Sequence, residues 1–150
     1  MIFDRFDLPH PRRPIGAVFW VVMVLFAYEA GSGLWWVYMD LSIRYVPGAA
    51  YDFPADVVDF VQKVPAWQEA LFFGGVATLW ISVILLFLRN PWVLLSYSLT
   101  ILLSKSDWII SALNGFEFLS AAGYLSLIRE MIAMAGLLLY QQMGGFRRQA

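Results

Sequence analysis

Residues 15–39 read IGAVFWVVMVLFAYEAGSGLWWVYM, an apolar stretch whose one charged side chain is Glu29. A helix rises about 1.5 Å per residue, so roughly 20 apolar residues cross a hydrocarbon core about 30 Å thick. The stretch exceeds the roughly 7–15 apolar residues of a signal peptide, and no small-residue cleavage site follows it. We therefore predict a retained membrane-spanning helix.

Three further stretches are long and apolar enough to span a membrane. They cover residues 67–88, 92–113 and 119–140. The short link at residues 89–91 makes the second and third spans antiparallel neighbours, and Asn90 followed by Pro91 is typical of a helix N-cap and first turn. The sequence therefore predicts an all-α integral membrane four-helix bundle, one domain over residues 1–150.

The composition excludes several classes of function. The chain is 61% hydrophobic and 14% charged, whereas soluble domains average about 45–50% apolar and about 25% charged residues. A net charge of −1 without a long basic run gives no reason to expect nucleic acid. The absence of Cys excludes disulfides and thiol chemistry, and the one His makes a histidine-ligated metal or haem site unexpected. No nucleophile–base pair or phosphate loop is apparent, so we expect neither an enzyme nor a cofactor.

The distribution of Lys and Arg predicts the orientation of the spans. One side carries Arg5, Arg12, Arg13, Arg89, Arg147 and Arg148, and the other carries Arg44 and Lys63. Cytoplasmic loops are enriched in cations, so we expect both termini in the cytoplasm. Aromatic anchors at the membrane interfaces are expected at Trp35, Trp36, Trp67 and Trp92.

Residues 54–64, in the loop between the first two spans, have the pattern of a short amphipathic helix. One face carries the apolar side chains Val57, Phe60, Val61 and Val64, and the other carries Asp56, Asp59, Gln62 and Lys63. Such a helix lies along the outer membrane surface or over the mouth of the bundle. It serves either as a lid over the helix ends or as a docking element for a partner.

Four short motifs carry a family resemblance. They are Phe53-Pro54-Ala55-Asp56, Val64-Pro65-Ala66-Trp67, Gly74-Gly75 and Leu85-Leu86-Phe87-Leu88-Arg89. Over residues 15–90 the chain resembles a family of small bacterial four-span membrane proteins that are DoxX-like and loosely labelled "sugar transporter". The resemblance implies a location in the bacterial inner membrane, with the amphipathic helix in the periplasm, and some form of transport.

Five charged residues fall inside the predicted spans: Glu29, Lys105, Asp107, Arg129 and Glu130. Each costs about 2.5–3.5 kcal/mol to insert, so the set is not incidental. Counted from the outer helix ends, Glu29, Lys105 and Arg129 lie ~15, ~12 and ~15 Å deep. We therefore expect Glu29 to pair with Lys105 or Arg129.

Lys105 and Asp107 are two residues apart and point to nearly opposite sides of a regular helix. Either Asp107 reaches the outer interface, or the third helix is broken near Ser104-Lys105-Ser106.

The charged set has three interpretations. The charges form internal pairs that set helix register; or Arg129 or Glu130 binds another membrane subunit; or Glu29 belongs to a proton, ion or substrate path. The small residues Gly31, Gly33, Gly74 and Gly75 favour close helix packing, with a substrate cleft as the alternative.

Small size, the absence of a cofactor motif, and charges that exceed what four helices are expected to pair favour one functional hypothesis. It is a non-enzymatic accessory or assembly subunit of a larger bacterial inner-membrane complex, whose partners are the lipid bilayer and other membrane subunits. The alternative is a small four-span transporter or channel subunit that uses the intramembrane charges.

Overall fold

The computed structural model describes Pro9, residues 13–115 and residues 118–146, without the side chains of residues 118–120 and 122. Those described residues form five α-helices and no β-strand. The helices are α1 (Pro14–Tyr45), α2 (Ala55–Lys63), α3 (Ala66–Phe87), α4 (Val93–Leu113) and α5 (Phe118–Gln142), with a 3-10 turn at Ala49–Asp52. The predicted all-α class is confirmed.

Four of these helices are long and apolar enough to cross a membrane: α1, α3, α4 and the segment Gly123–Gln142 of α5. The chain is therefore a multi-pass membrane protein. The predicted bounds of the last three spans lie within two residues of the helices. α1, by contrast, continues to Tyr45, so that Asp40 and Arg44 lie on its last turns rather than in a loop.

The four spanning helices form a ring in chain order. α1 packs against α3, α3 against α4, α4 against α5, and α5 closes the ring against α1. The link between α3 and α4 is tight because Arg89 takes a left-handed conformation with φ 53°. The guanidinium of Arg89 donates to the carbonyl oxygen of Gly145 at 3.1 Å, which ties this turn to the end of α5.

The start of α4 differs from the prediction. The helix begins at Val93 with Trp92 as its N-cap residue, two residues later than Asn90 and Pro91 suggested. The side-chain oxygen of Asn90 accepts a hydrogen bond from the backbone N–H of Trp92 at 3.0 Å. Asn90 thus caps the turn that precedes the helix, because its side chain satisfies a backbone N–H at the start of that turn.

The half of the bundle away from α2 is densely packed. Its core contains Phe19, Val22, Phe26, Leu79, Leu86, Val93, Leu137 and Tyr140. Ring contacts join the helices, with centroids 5.7 Å apart for Phe19 and Tyr140 and 4.3 Å apart for Phe26 and Tyr97. Hydroxyl groups add bonds between α3 and α4, such as Thr100 to Thr78 at 3.0 Å and Ser82 to Ser96 at 2.9 Å.

The amphipathic helix predicted over residues 54–64 is confirmed as α2. The apolar face of α2 includes Val61, which is only 2% exposed, and the helix packs against α1. The predicted polar face, with Asp56, Asp59, Gln62 and Lys63, is exposed.

The four glycines singled out for packing have different surroundings. A Cβ on Gly33 would lie 3.3 Å from Val76, one on Gly74 3.3 Å from Leu103, and one on Gly75 3.4 Å from the backbone nitrogen of Ser104. These three therefore allow close helix approach. For Gly31 the packing prediction is wrong, since a Cβ there would meet no atom within 4 Å.

Three of the four predicted aromatic anchors, Trp35, Trp67 and Trp92, expose more than half of their surface, as residues that face lipid or headgroups do. Trp36 does not fit the prediction. Its side chain is half-buried and lines an internal cavity between the helices.

Candidate functional site

A cavity of about 260 Å³ occupies the half of the bundle that carries α2. Its charged lining residues are Glu29, Asp40, Glu69, Lys105, Asp107, Arg129 and Glu130. The space exists because small residues, including Ser32, Gly33 and Gly75, line it where the other half of the bundle carries large side chains. Phe60, Val61 and Val64 line it from the α2 side.

Glu29 pairs with Arg129. The Nε of Arg129 donates to Oε1 of Glu29, and the side chains are 30% and 14% exposed respectively. The guanidinium of Arg129 also lies 5.1 Å from the ring centroid of Tyr28, a favourable cation–π distance. Of the two partners expected for Glu29, the structure selects Arg129.

Lys105 and Glu130 form the second ion pair, with Nζ and Oε1 3.1 Å apart. Ser126 accepts a hydrogen bond from Lys105 and donates one to the same Oε1, and Ser104 donates to it as well. Arg129 and Glu130 are therefore not left unpaired within the bundle, and contact of either with another subunit stays a prediction. Both have internal partners because α1 and α4 bring opposite charges to the two flanks of α5.

Lys105 and Asp107 both line the cavity, although α4 is continuous from Val93 to Leu113. The predicted break is therefore wrong, whereas Asp107 lies beside Gln68 of the first turn of α3 and its reach to the outer interface stays a prediction. Side chains two residues apart diverge by about 200° on a helix. α4 lies between α5 and α3, so Lys105 contacts α5 and Asp107 contacts α3.

The contact of Asp107 on α3 is Gln68, which the sequence analysis missed. Gln68 is 1% exposed. Its Nε2 donates to Oδ1 of Asp107 at 3.0 Å and to the hydroxyl of Ser111 at 2.8 Å. The sequence did contain an indication that Gln68 is buried. Gln68 shares its helical face with Gly75, seven residues later, and with the other buried residues of α3.

Arg44 joins three elements on the α2 side of the cavity. It lies 3.2 Å from Asp40 on α1 and 3.5 Å from Glu69 on α3, and donates to the carbonyl oxygen of Val64 at 3.4 Å. From the sequence, Arg44 was considered only as one of the cations that predict orientation. The spacing of Asp40 and Arg44, four residues apart, is the signal that could have indicated their pairing.

Two residues of the cavity lining each have one polar atom that is buried without a hydrogen-bond partner among the described residues. One is the hydroxyl of Tyr97, a residue 1% exposed, and the other is Oε2 of Glu130, which is 5% exposed. Burying a polar group without a partner costs about 1–3 kcal/mol.

Comparison with protein-family models, with curated proteins and with solved structures finds no match for this chain. The resemblance to DoxX-like proteins therefore stays a prediction. Within residues 13–115 and 118–146, no cluster of three or more His, Asp or Glu side chains is arranged to hold a metal ion. The chemistry that this site offers is recognition by hydrogen bonds, charge and aromatic contact.

Proposed function

We propose that this chain binds a small solute inside the membrane and acts as a small, non-enzymatic four-span transporter or channel subunit. The observation that carries the proposal is the cavity between the spanning helices, whose lining includes seven charged side chains. Ligand sites are typically concave and mostly apolar, with a few converging polar groups. Intramembrane charges that face such a cavity commonly mark substrate or ion pathways.

The proposal includes a location and an orientation. The chain lies in a bacterial inner membrane, with both termini in the cytoplasm and with α2 and the adjoining cavity on the periplasmic side. The support is the six-to-two bias of cations; of these, Arg5, Arg12, Arg147 and Arg148 lie outside the described residues. Reporter fusions after Asp52 and after Arg89 test it: we expect the first in the periplasm and the second in the cytoplasm, and the reverse would refute the orientation.

The natural absence of Cys allows a direct test of the cavity. Ser32 lines it, whereas Ser82 is fully buried in the packed half. We expect a cationic, water-soluble methanethiosulfonate reagent to modify the variant Ser32→Cys at least about tenfold faster than Ser82→Cys, because the reagent reacts with thiols that water reaches. Equal, slow modification of both thiols would refute a solute-accessible cavity.

The accessory-subunit hypothesis stays a prediction. Its support is the small size of the chain and the lack of a cofactor motif; of the charged set, Lys105 and Arg129 are paired internally, and Asp107 has no described cation beside it. Purification from the native membrane in mild detergent distinguishes the two hypotheses. One dominant co-purifying complex favours the subunit, and recovery of this chain alone favours the solute-binding protein.

A further inference from the structure

The charges of the cavity lining do not balance. Five carboxylates line it, those of Glu29, Asp40, Glu69, Asp107 and Glu130, against the two cations Lys105 and Arg129. Arg44 adds a third cation beside Asp40 and Glu69. An excess of two negative charges remains among the described residues, and in a low-dielectric environment such an excess favours a cationic ligand.

Asp107 is the clearest source of this excess. Both cations of the lining are already engaged, Lys105 with Glu130 and Arg129 with Glu29. The partner of the Asp107 side chain is the neutral amide of Gln68 at 3.0 Å, and no described cation lies within ion-pair distance of it. A ligand that carries a positive charge would therefore supply what this carboxylate lacks.

The lining of the cavity identifies the kind of cation. A protonated amine has several N–H donors to offer to the carboxylate of Asp107. Aromatic side chains of Trp36, Phe72 and Trp108 also line the cavity, and aromatic faces attract ammonium groups while accepting an apolar body.

We propose that the ligand of this cavity is a small protonated amine. Its ammonium group donates to the carboxylate of Asp107 and is stabilised by its charge, and its apolar body lies against the aromatic wall. The volume of about 260 Å³ is slightly below that of drug-sized sites, which suits a ligand of roughly ten non-hydrogen atoms. This inference rests on the proposed solute-binding function and names the class of the solute.

Three probes of similar shape and different charge test the proposed class of ligand: phenethylammonium, the neutral 2-phenylethanol and the anion phenylacetate. Each is titrated calorimetrically into the full chain in lipid nanodiscs, with protein-free nanodiscs as the blank for partitioning. We expect the cation to bind at least about tenfold more tightly than the other two, because a hydrogen bond between charged groups is stronger than one between neutral groups.

One variant locates the site. Asp107→Asn keeps the acceptor for Gln68 and removes one charge, and it is expected to weaken phenethylammonium binding about tenfold. Two controls should leave binding unchanged: Asp56→Asn, the same charge change on the exposed face of α2, and Tyr97→Phe, which removes a buried hydroxyl and keeps the ring on Phe26. Equal binding by Asp107→Asn and the wild type would contradict the proposal.

The outcomes separate the two proposals. If the alcohol binds as tightly as the cation, the amine proposal is wrong and the solute cavity stands. The amine proposal also fails if none of the three probes binds while Ser32→Cys is readily modified. If Ser32→Cys is protected as well, the proposed function fails with it.

Discussion

Glu29 on α1 accepts a hydrogen bond from Arg129 on α5, across a separation of 100 residues in the chain. α1 and α5 are the first and last spanning helices, so this ion pair closes the ring of the bundle. Removing one partner of a desolvated pair leaves the other charge uncompensated, which is more costly than removing both. Substitutions in this pair therefore test the contact between α1 and α5.

We expect Glu29→Gln to lower the free energy of unfolding by about 3 kcal/mol, the lower end for a broken buried pair because Arg129 is 30% exposed. Adding Arg129→Met to the same chain should recover much of the loss. Reversible unfolding in detergent micelles, arranged as a double-mutant cycle, measures the coupling. A cycle with Lys105→Met should give a markedly smaller coupling, since Lys105 pairs with Glu130.

The exposed pair of Lys63 and Asp59 is the control for this cycle. Asp59→Asn should change stability by no more than about 1 kcal/mol, as is usual for exposed ion pairs. A wild-type unfolding curve for Glu29→Gln, or equal coupling of Glu29 to Lys105 and Arg129, would contradict the pairing.

Exchanging donor and acceptor at Gln68 and Asp107 tests the contact between α3 and α4. Gln68→Glu places a second carboxylate where the amide nitrogen lies 3.0 Å from Oδ1 of Asp107, so it should lower the melting temperature more than Gln68→Met does. Gln68→Met leaves Asp107 and Ser111 without a donor, a loss of about 1–3 kcal/mol. The double variant Gln68→Glu with Asp107→Asn restores a donor opposite an acceptor and should recover most of the stability; failure to recover would contradict this contact.

Gly136 on α5 marks a close approach to α1. A Cβ added there would lie 2.5 Å from Cγ2 of Val22, a residue 1% exposed. We expect Gly136→Ala to destabilise the protein by about 1–3 kcal/mol, the usual cost of overpacking. Combining it with Val22→Ala should cost less than the sum of the two single changes, because the smaller side chain makes room.

Gly31→Ala is the matched control for Gly136. A Cβ on Gly31 meets no atom within 4 Å, and alanine is favoured over glycine in a helix by about 0.5–1 kcal/mol. Its melting temperature should therefore be unchanged or higher. Equal destabilisation by the two alanines would contradict the difference between the open space at Gly31 and the close contact at Gly136.

Burial of Val61 holds α2 against the bundle. Val61 is 2% exposed, whereas its neighbour Gln62 is exposed. Val61→Ser should loosen α2 and accelerate tryptic cleavage after Lys63, because cleavage requires local opening. Gln62→Ser should leave the cleavage rate unchanged, and equal rates for the two variants would mean that Val61 does not anchor the helix.

The sequence by itself was sufficient to predict the number of spans and the position of α2. It also predicted the bounds of α3, α4 and α5 to within two residues. These features depend on local properties, since hydropathy over about 20 residues and helical spacing within one turn are read from neighbours in the chain. α1 was predicted too short because its last turns carry charged residues. Asp40 and Arg44 stabilise each other on that helix, four residues apart.

The pairing of the intramembrane charges was decided only by the tertiary structure. Helix depth alone placed Glu29 at the level of both Lys105 and Arg129, and depth does not say how each helix is rotated about its axis. Rotation is set by the packing of all neighbours together, which is why Lys105 and Asp107 contact different helices while both line the cavity. The cavity has the same origin, because its volume is what five helices leave between them once the large side chains have packed in the other half of the bundle.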